Sequence, residues 1–332
     1  MNDIVFVGDL QIKEEKPYSL AMSDFIEWFI SQPYCNKNNI LILLGDICNK
    51  GLLSNDENDF IVNTFFKKLP FKQILIVHGN HEFNNKGGSA LKFLRHLPNI
   101  QVIVKPELIS INEKKFLFLP YLNDKIDGLT MKEYYTNLPD ELNQGDYCIG
   151  HFSYMPLFEK DKSFIPVDNI KGKKILGHIH SGHLNKDEDY YLGSPLIDRF
   201  DHKHKNSYIM TIDEDWKEQF YQIPQFVDYD SIKYPDSLPI NKIANHVIYD
   251  IEDSIDKDLS IEYYSKLCLE KGEQFYWREI HRKIEINNNI NLIKLEKENK
   301  KFSDYLNNFY VTKNISNKVQ EILNKKLMKR LN

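Results

Sequence analysis

Cysteine is scarce: Cys35, Cys48, Cys148 and Cys268 are the whole complement of the 332-residue chain, and no two form a Cys-x-x-Cys pair. That spacing excludes a disulfide framework and leaves four reduced thiols, read as small buried hydrophobes. Long apolar runs are missing too, none approaching the roughly 18 residues a bilayer-crossing helix needs, so no membrane association is expected. The opening Met1-Asn2-Asp3-Ile4-Val5-Phe6-Val7 has neither a basic leader nor a small-residue cleavage site, and the expected location is cytoplasmic. An excess of positive charge is also lacking. The formal net charge of −5 argues against a surface that coats nucleic acid broadly. It leaves a phosphodiester substrate open, because a bound pair of dications adds about four positive charges at one point. There is no internal repeat and no long low-complexity segment.

What is present is apolar material for a sizeable core, at 42% of residues, in a chain long enough for two or three units. The apolar run Ile74-Leu75-Ile76-Val77 reads as a buried strand, and Gly79-Asn80-His81-Glu82 follows it directly. The same pattern recurs through the first 180 residues. Ile4–Val7 runs into Gly8-Asp9-Leu10-Gln11, and Ile40–Leu44 into Gly45-Asp46. Tyr147–Ile149 leads to Gly150-His151, and Lys174–Leu176 to Gly177-His178-Ile179-His180. Between them, Leu20, Met22, Phe25, Trp28 and Phe29 fall at helical spacing and close at Pro33. Phe60–Phe66 and Ser89–Leu97 suggest two further helices. Strands are expected near Gln101–Val104, Leu108–Ile111, Phe116–Leu119, Tyr190–Leu192 and Tyr208–Ile212. Together they make a mixed, layered α/β domain over residues 1–223.

From Pro224 the texture changes. Val247–Ile251 reads as a strand, Leu259–Leu269 as a helix and Phe275–Ile286 as a strand, a compact βαβ unit over residues 224–286. The last stretch, 287–332, opens with Asn287-Asn288-Asn289 and the charged run Lys294–Lys301. It ends in helical segments over Ser303–Tyr310 and Ser316–Leu331. Ile315, Val319, Ile322, Leu323, Leu327 and Leu331 form an apolar stripe opposite a lysine-rich face.

Asp9, Asp46, Asn80, His151, His178 and His180 all stand at or just beyond the C-terminal ends of apolar strands, so one sheet rim can gather them. Carboxylate, amide and imidazole together suit a borderline divalent ion such as manganese, iron or zinc, whereas oxygen-only sites suit magnesium or calcium. A carboxylate such as Asp46 can bridge two ions, which in such sites lie roughly 3.5–4 Å apart and stabilise phosphoryl oxygens in flight. Singly, Asp9 and Asp46 also read as cap or turn residues and His151 as a histidine at a strand end. The pair His178 and His180 would share one face of an extended segment. His78 reads as packing or support for the site, as does His183, and His202-Lys203-His204 as a solvated loop.

The ordered set Gly8-Asp9-x-Gln11, Gly45-Asp46, Gly79-Asn80-His81-Glu82, Gly150-His151 and Gly177-His178-x-His180 resembles the calcineurin-like metallophosphoesterases. Within them it is most similar to the SbcD type of repair nuclease, related to the meiotic-recombination-eleven nuclease and, in layout, to the recombination endonuclease subunit of tailed phages. Tyr191-Leu192-Gly193-Ser194-Pro195, the βαβ unit and the helical tail add to that likeness. The resemblance implies a sandwich of two mixed sheets flanked by helices, with a small βαβ cap and C-terminal helices. It implies two divalent ions, manganese first, with magnesium, iron and zinc as the others. Asp9, Gln11, Asp46 and His180 would hold one, and Asn80, His151 and His178 the other, with Asp46 bridging. His81 would be the catalytic histidine that protonates the leaving oxygen, with Glu82 orienting it. Gln11 stands where the family usually has histidine, and its neutral amide is the poorer ligand.

The implied activity is hydrolysis of DNA, as a 3′-to-5′ exonuclease on ends and an endonuclease on single strands and hairpins. An SbcC-type ATPase with a long coiled coil would gate it by docking on the C-terminal helices. The segments near Phe60–Phe66 and Leu91–Leu97 would form a homodimer, and the setting would be a bacterial cell or a phage-infected host. A stand-alone phosphodiesterase for small substrates, or a catalytically weakened scaffold holding DNA ends, are the alternatives.

Overall fold

The computed structural model describes residues 3–84, 88–154, 163–184, 189–196, 206–232, 246–252 and 276–280, with helical residues 261, 263–266 and 268. The expected C-terminal helices, the linker before them and His202-Lys203-His204 lie outside the described residues. Two compact units divide the chain, the first Met1–Asp230 with Pro239–Tyr249, the second Ser231–Leu238 with Asp250–Asn332.

The short aliphatic runs become strands, as their β-branched and apolar composition favours. In chain order these are β1 (Ile4–Val7), β2 (Ile40–Leu43), β3 (Gln73–Val77), β4 (Ile100–Ile103), β5 (Glu107–Ile111) and β6 (Lys114–Leu119). There follow β7 (Tyr147–His151), β8 (Lys173–Gly177), β9 (His183–Leu184), β10 (Tyr190–Tyr191), β11 (Tyr208–Ile212) and β12 (Glu218–Gln222). They form two six-stranded sheets, ordered β12-β11-β1-β2-β3-β4 and β5-β6-β7-β8-β10-β9. In the first, β1 to β4 run parallel and β11 returns antiparallel to β1. In the second, β6, β7, β8 and β10 run parallel with antiparallel strands at both edges. Both sheets are mixed, as the resemblance implies. Past them β13 (Val227–Ile232), β14 (His246–Glu252) and β15 (Tyr276–Ile280) form a three-stranded sheet.

The parallel strands β1 and β2 are buried along their whole length and β3 is buried beyond Gln73, which is why these three read as continuous apolar runs rather than alternating ones. Phe6, Ile42, Leu75 and Val77 of one sheet interdigitate with Phe116, Phe118, Ile149 and Ile175 of the other. Burying such side chains contributes roughly 1.5–3 kcal/mol each. The outer face of the second sheet packs Leu117, Cys148, Phe152 and Tyr191 against Met131 and Tyr135 of a short helix.

Four helical segments bear on the sequence reading. The first helix, α1 (Tyr18–Ile30), buries Met22, Phe25 and Phe29 of the expected stripe together with Ala21 and Ile26, and leaves Leu20 and Trp28 half-buried. The second begins earlier than its aromatic residues suggest. The Ser54 hydroxyl accepts a bond from the Glu57 amide and the Glu57 carboxylate accepts one from the Ser54 amide, so α2 (Asn55–Asp59) starts at that capping box. It widens into a π turn over Phe60–Phe65. Ser89 starts not an α-helix but a 3-10 segment over Ala90–His96. A second capping box, Thr130 with Glu133, starts α3 (Met131–Thr136), which apolar spacing does not reveal.

Candidate metal centre

Register brings the ligand-bearing turns to one rim. Val7 lies level with Leu43, and Leu43 with Ile76, so the residues just past β1, β2 and β3 emerge side by side. From the facing sheet, His151 lies level with Gly177 at the ends of β7 and β8. Two glycines let these turns close up. Gly45 has φ +95°, and a Cβ there would strike Nδ1 of His151. A Cβ at Gly79 would strike the Asp46 carboxylate and backbone amide.

Asp46 is the hub. It is 1% exposed, with φ 49° in the left-handed region. Its Oδ1 accepts the His81 amide at 2.9 Å and lies 3.4 Å from Nε2 of His151. Its Oδ2 accepts Nε2 of Gln11 at 2.9 Å, and that same amide nitrogen lies 3.5 Å from Nε2 of His180. The two oxygens of one carboxylate therefore look into two groups of polar side chains.

The His151 group is held from behind. Nδ1 donates to the Leu44 carbonyl at 2.7 Å, which aims Nε2 at Oδ1 of Asn80, 3.0 Å away. Nδ1 of His178 also lies 3.0 Å from that Asn80 oxygen. The amide of His178 donates to Oδ1 of Asp9 at 2.8 Å, and its Nε2 lies 2.7 Å from Oγ of Ser163. The sequence reading puts His178 and His180 on one extended strand, but β8 stops at Gly177. His178 takes φ 80°, and the capture of its amide by Asp9 turns the chain there. The two histidines consequently serve different groups.

His81 stands at the mouth. Its side chain is 36% exposed, with Nε2 3.8 Å from Oδ2 of Asp46 and Nδ1 donating to the Asn49 carbonyl at 2.7 Å. Glu82 does not orient that ring. Its buried carboxylate accepts the amides of Asp46 at 3.0 Å, Cys48 at 3.2 Å and Gly79 at 2.6 Å, stitching together the turns after β2 and β3.

The electrostatics are those of a site that wants cations. Asp9, Asp46 and His151 each offer an atom within 4.8 Å of the others, all buried. Burial raises the carboxyl of Asp9 above its usual range, with His151 and His180 offsetting part of that. Burial opposes ionisation of Asp46 as well, yet His151 and His81 outweigh it and hold this carboxyl low. Burial would depress His151, but Asp46 and Asp9 overcome it and lift the imidazole to about 10. For Glu82, burial and then the charge of Asp46 push the carboxyl up to about 7. Two buried acceptors, Oδ2 of Asp9 and Oε1 of Gln11, have no hydrogen-bond partner among the described residues. Leaving such atoms bare is costly unless something else satisfies them, and a divalent cation would. The donor set fits the implied metals.

Asp9, Gln11, Asp46, Asn80, His81, His151, His178 and His180 lie together at this rim, while Glu82 faces backbone amides rather than His81. His78 supports it: buried, it lies 2.9 Å from Oγ of Ser89, and burial, with His151 adding, lowers it to about 4. His183 is exposed on β9, away from these contacts. Ser163 and the carbonyls of Leu44 and Asn49 are functional contacts that sequence reasoning missed. Carbonyls carry no sequence signal, and Ser163 sits in an unremarkable Lys-Ser-Phe stretch.

An α/β sandwich with carboxylates, an amide and imidazoles gathered at one rim defines a metal-dependent phosphoesterase. The family model of the calcineurin-like phosphoesterases matches residues 3–211, and the chain belongs to that family. No curated protein gives a significant match.

Proposed function

We propose that the chain is the nuclease subunit of an SbcCD-like complex, hydrolysing DNA phosphodiesters with two divalent ions, manganese first. The observation that carries the hydrolytic part is the two-sided Asp46. Asp9, Gln11 and His180 would complete one ion's shell, and Asn80, His151 and His178 the other's. When bound, such ions generate a nucleophile from water near neutral pH and neutralise phosphoryl charge. The protein's own groups do the rest. Leu44 fixes His151, and Asn49 holds the ring of His81 beside Asp46. From there His81 would contact the scissile phosphate and give its proton to the leaving oxygen. Glu82 keeps the two turns in register.

The DNA substrate rests on the resemblance, through the ordered motifs and Tyr191-Leu192-Gly193-Ser194-Pro195. On this reading residues 1–223 are the nuclease domain, 224–286 a DNA-binding cap and 287–332 the linker and helices that dock on a coiled-coil ATPase. That ATPase gates exonuclease action on duplex ends and endonuclease action on hairpins, and the nuclease works as a homodimer. One observation favours a second reading, a scaffold that holds DNA ends. Gln11 donates its amide to Oδ2 of Asp46, the oxygen a first ion needs.

The experiment is an assay of the purified chain on linear duplex, hairpin DNA and a chromogenic phosphodiester, with manganese and with magnesium, alone and with the ATPase. Cleavage of DNA ends and hairpins supports the nuclease. Turnover of the chromogenic substrate alone makes it a small-substrate phosphodiesterase, and no turnover with any metal makes it the scaffold.

A further inference from the structure

We infer that Ser163 is the positioning residue for His178, a hydroxyl that selects which ring nitrogen faces the metal centre; the inference rests on the metal-centre reading above. Ser163 is 1% exposed. Its carbonyl accepts the Ser153 amide at 3.0 Å, and the Ser153 carbonyl accepts the Ile165 amide at 2.8 Å. Ser163 is thereby tied to the chain running on from β7, the strand that ends in His151. The His178 ring spans the gap, Nε2 on Oγ of Ser163 at 2.7 Å and Nδ1 3.0 Å from Oδ1 of Asn80.

The chemistry of the two partners sets the tautomers. Asn80 Oδ1 only accepts, so without metal the proton sits on Nδ1 of His178 and the Ser163 hydroxyl donates to Nε2. A cation held at Nδ1 needs that lone pair. The proton then belongs on Nε2, and the serine oxygen accepts it. One proton leaves Nδ1, one arrives at Nε2, and the ring stays neutral. A hydroxyl can serve in both directions, being donor and acceptor. The Leu44 carbonyl behind His151 cannot, and fixes that ring permanently with Nδ1 protonated. Such outer partners of metal-bound histidine set both tautomer and orientation.

The test uses the full chain. Zinc is titrated into wild type, Ser163→Ala and His178→Ala by competition with a chromophoric chelator. Nitrogen NMR of the zinc-loaded wild type reads the His178 ring directly. The expected result is weakening of one of the two sites in Ser163→Ala by about 10–100-fold. In wild type, Nδ1 of His178 should be metal-bound and Nε2 protonated. Wild-type affinity in Ser163→Ala together with a lost site in His178→Ala would overturn the role of Ser163 and leave the metal centre standing. Wild-type affinity in both would overturn the metal assignment itself. Zinc on Nε2 of His178 would overturn the inference without any variant, including the case in which Ser163→Ala fails to fold.

Discussion

Nε2 of His151 lies 3.4 Å from Oδ1 of Asp46, both groups buried, in a geometry that serves a proton and a metal ion equally well. Because the Leu44 carbonyl claims Nδ1, only Nε2 can change state. Without metal the imidazolium balances the carboxylates; a divalent ion would take the place of that proton.

A pH dependence of stability follows for the metal-free protein. His151, lifted to about 10 from 6.5, stabilises the fold fully below pH 6.5, and that contribution is lost as pH rises through 10. Glu82, raised to about 7 from 4.5, acts in the same direction: its contribution is present below 4.5 and lost as pH rises through 7. In both cases the folded state binds more protons than the unfolded one, so the slope is negative. His78, lowered to about 4, opposes Glu82 below pH 6.5, so urea melts in chelator should show stability falling between pH 6.5 and 10, and saturating manganese should flatten or reverse that fall.

Glu82→Ala should destabilise strongly. It strands the amides of Asp46, Cys48 and Gly79 in the interior, at about 1–3 kcal/mol for each unsatisfied group. Glu82→Gln keeps an acceptor and should lose less. Thermal melts of the two variants, compared with wild type, check the order.

On the proposed reading His81 moves a proton rather than holding an ion. His81→Ala should lower kcat by about 10²–10⁴-fold, the usual range for a lost general acid, with KM and metal affinity nearly unchanged. Steady-state kinetics on the chromogenic phosphodiester, paired with a metal titration, separates that outcome from loss of a ligand.

Gln11→His should raise metal affinity and activity together. The substitution removes an amide donor from Oδ2 of Asp46 and supplies an imidazole beside His180. Calorimetric titration of manganese reads the change, and an unchanged isotherm would put position 11 outside the coordination sphere.

Much of the fold was legible because the buried parallel strands are continuous aliphatic runs punctuated by glycine. Ile40–Leu43 and Ile74–Val77 could hardly be anything else. The convergence of Asp9, Asp46, Asn80, His151 and His178 was legible for the same reason: each follows or ends such a run. Segments set by side-chain-to-backbone bonds were harder. Ser54 with Glu57 and Thr130 with Glu133 begin helices that apolar spacing misplaces or misses. The bend at His178 depends on Asp9, far away in sequence, so no local pattern signals it. Glu82 looks like a partner for its neighbour, yet its carboxylate turns inward to amides from two turns, a choice made by packing.

The most direct test of the centre is the number of manganese ions bound by wild type and by Asp46→Ala, read by calorimetry and by electron paramagnetic resonance. The account predicts two ions, spin-coupled through their shared carboxylate, and a variant that has lost the coupling and most of the affinity at both positions. A single uncoupled ion in wild type, or a variant that still binds a coupled pair, would contradict it.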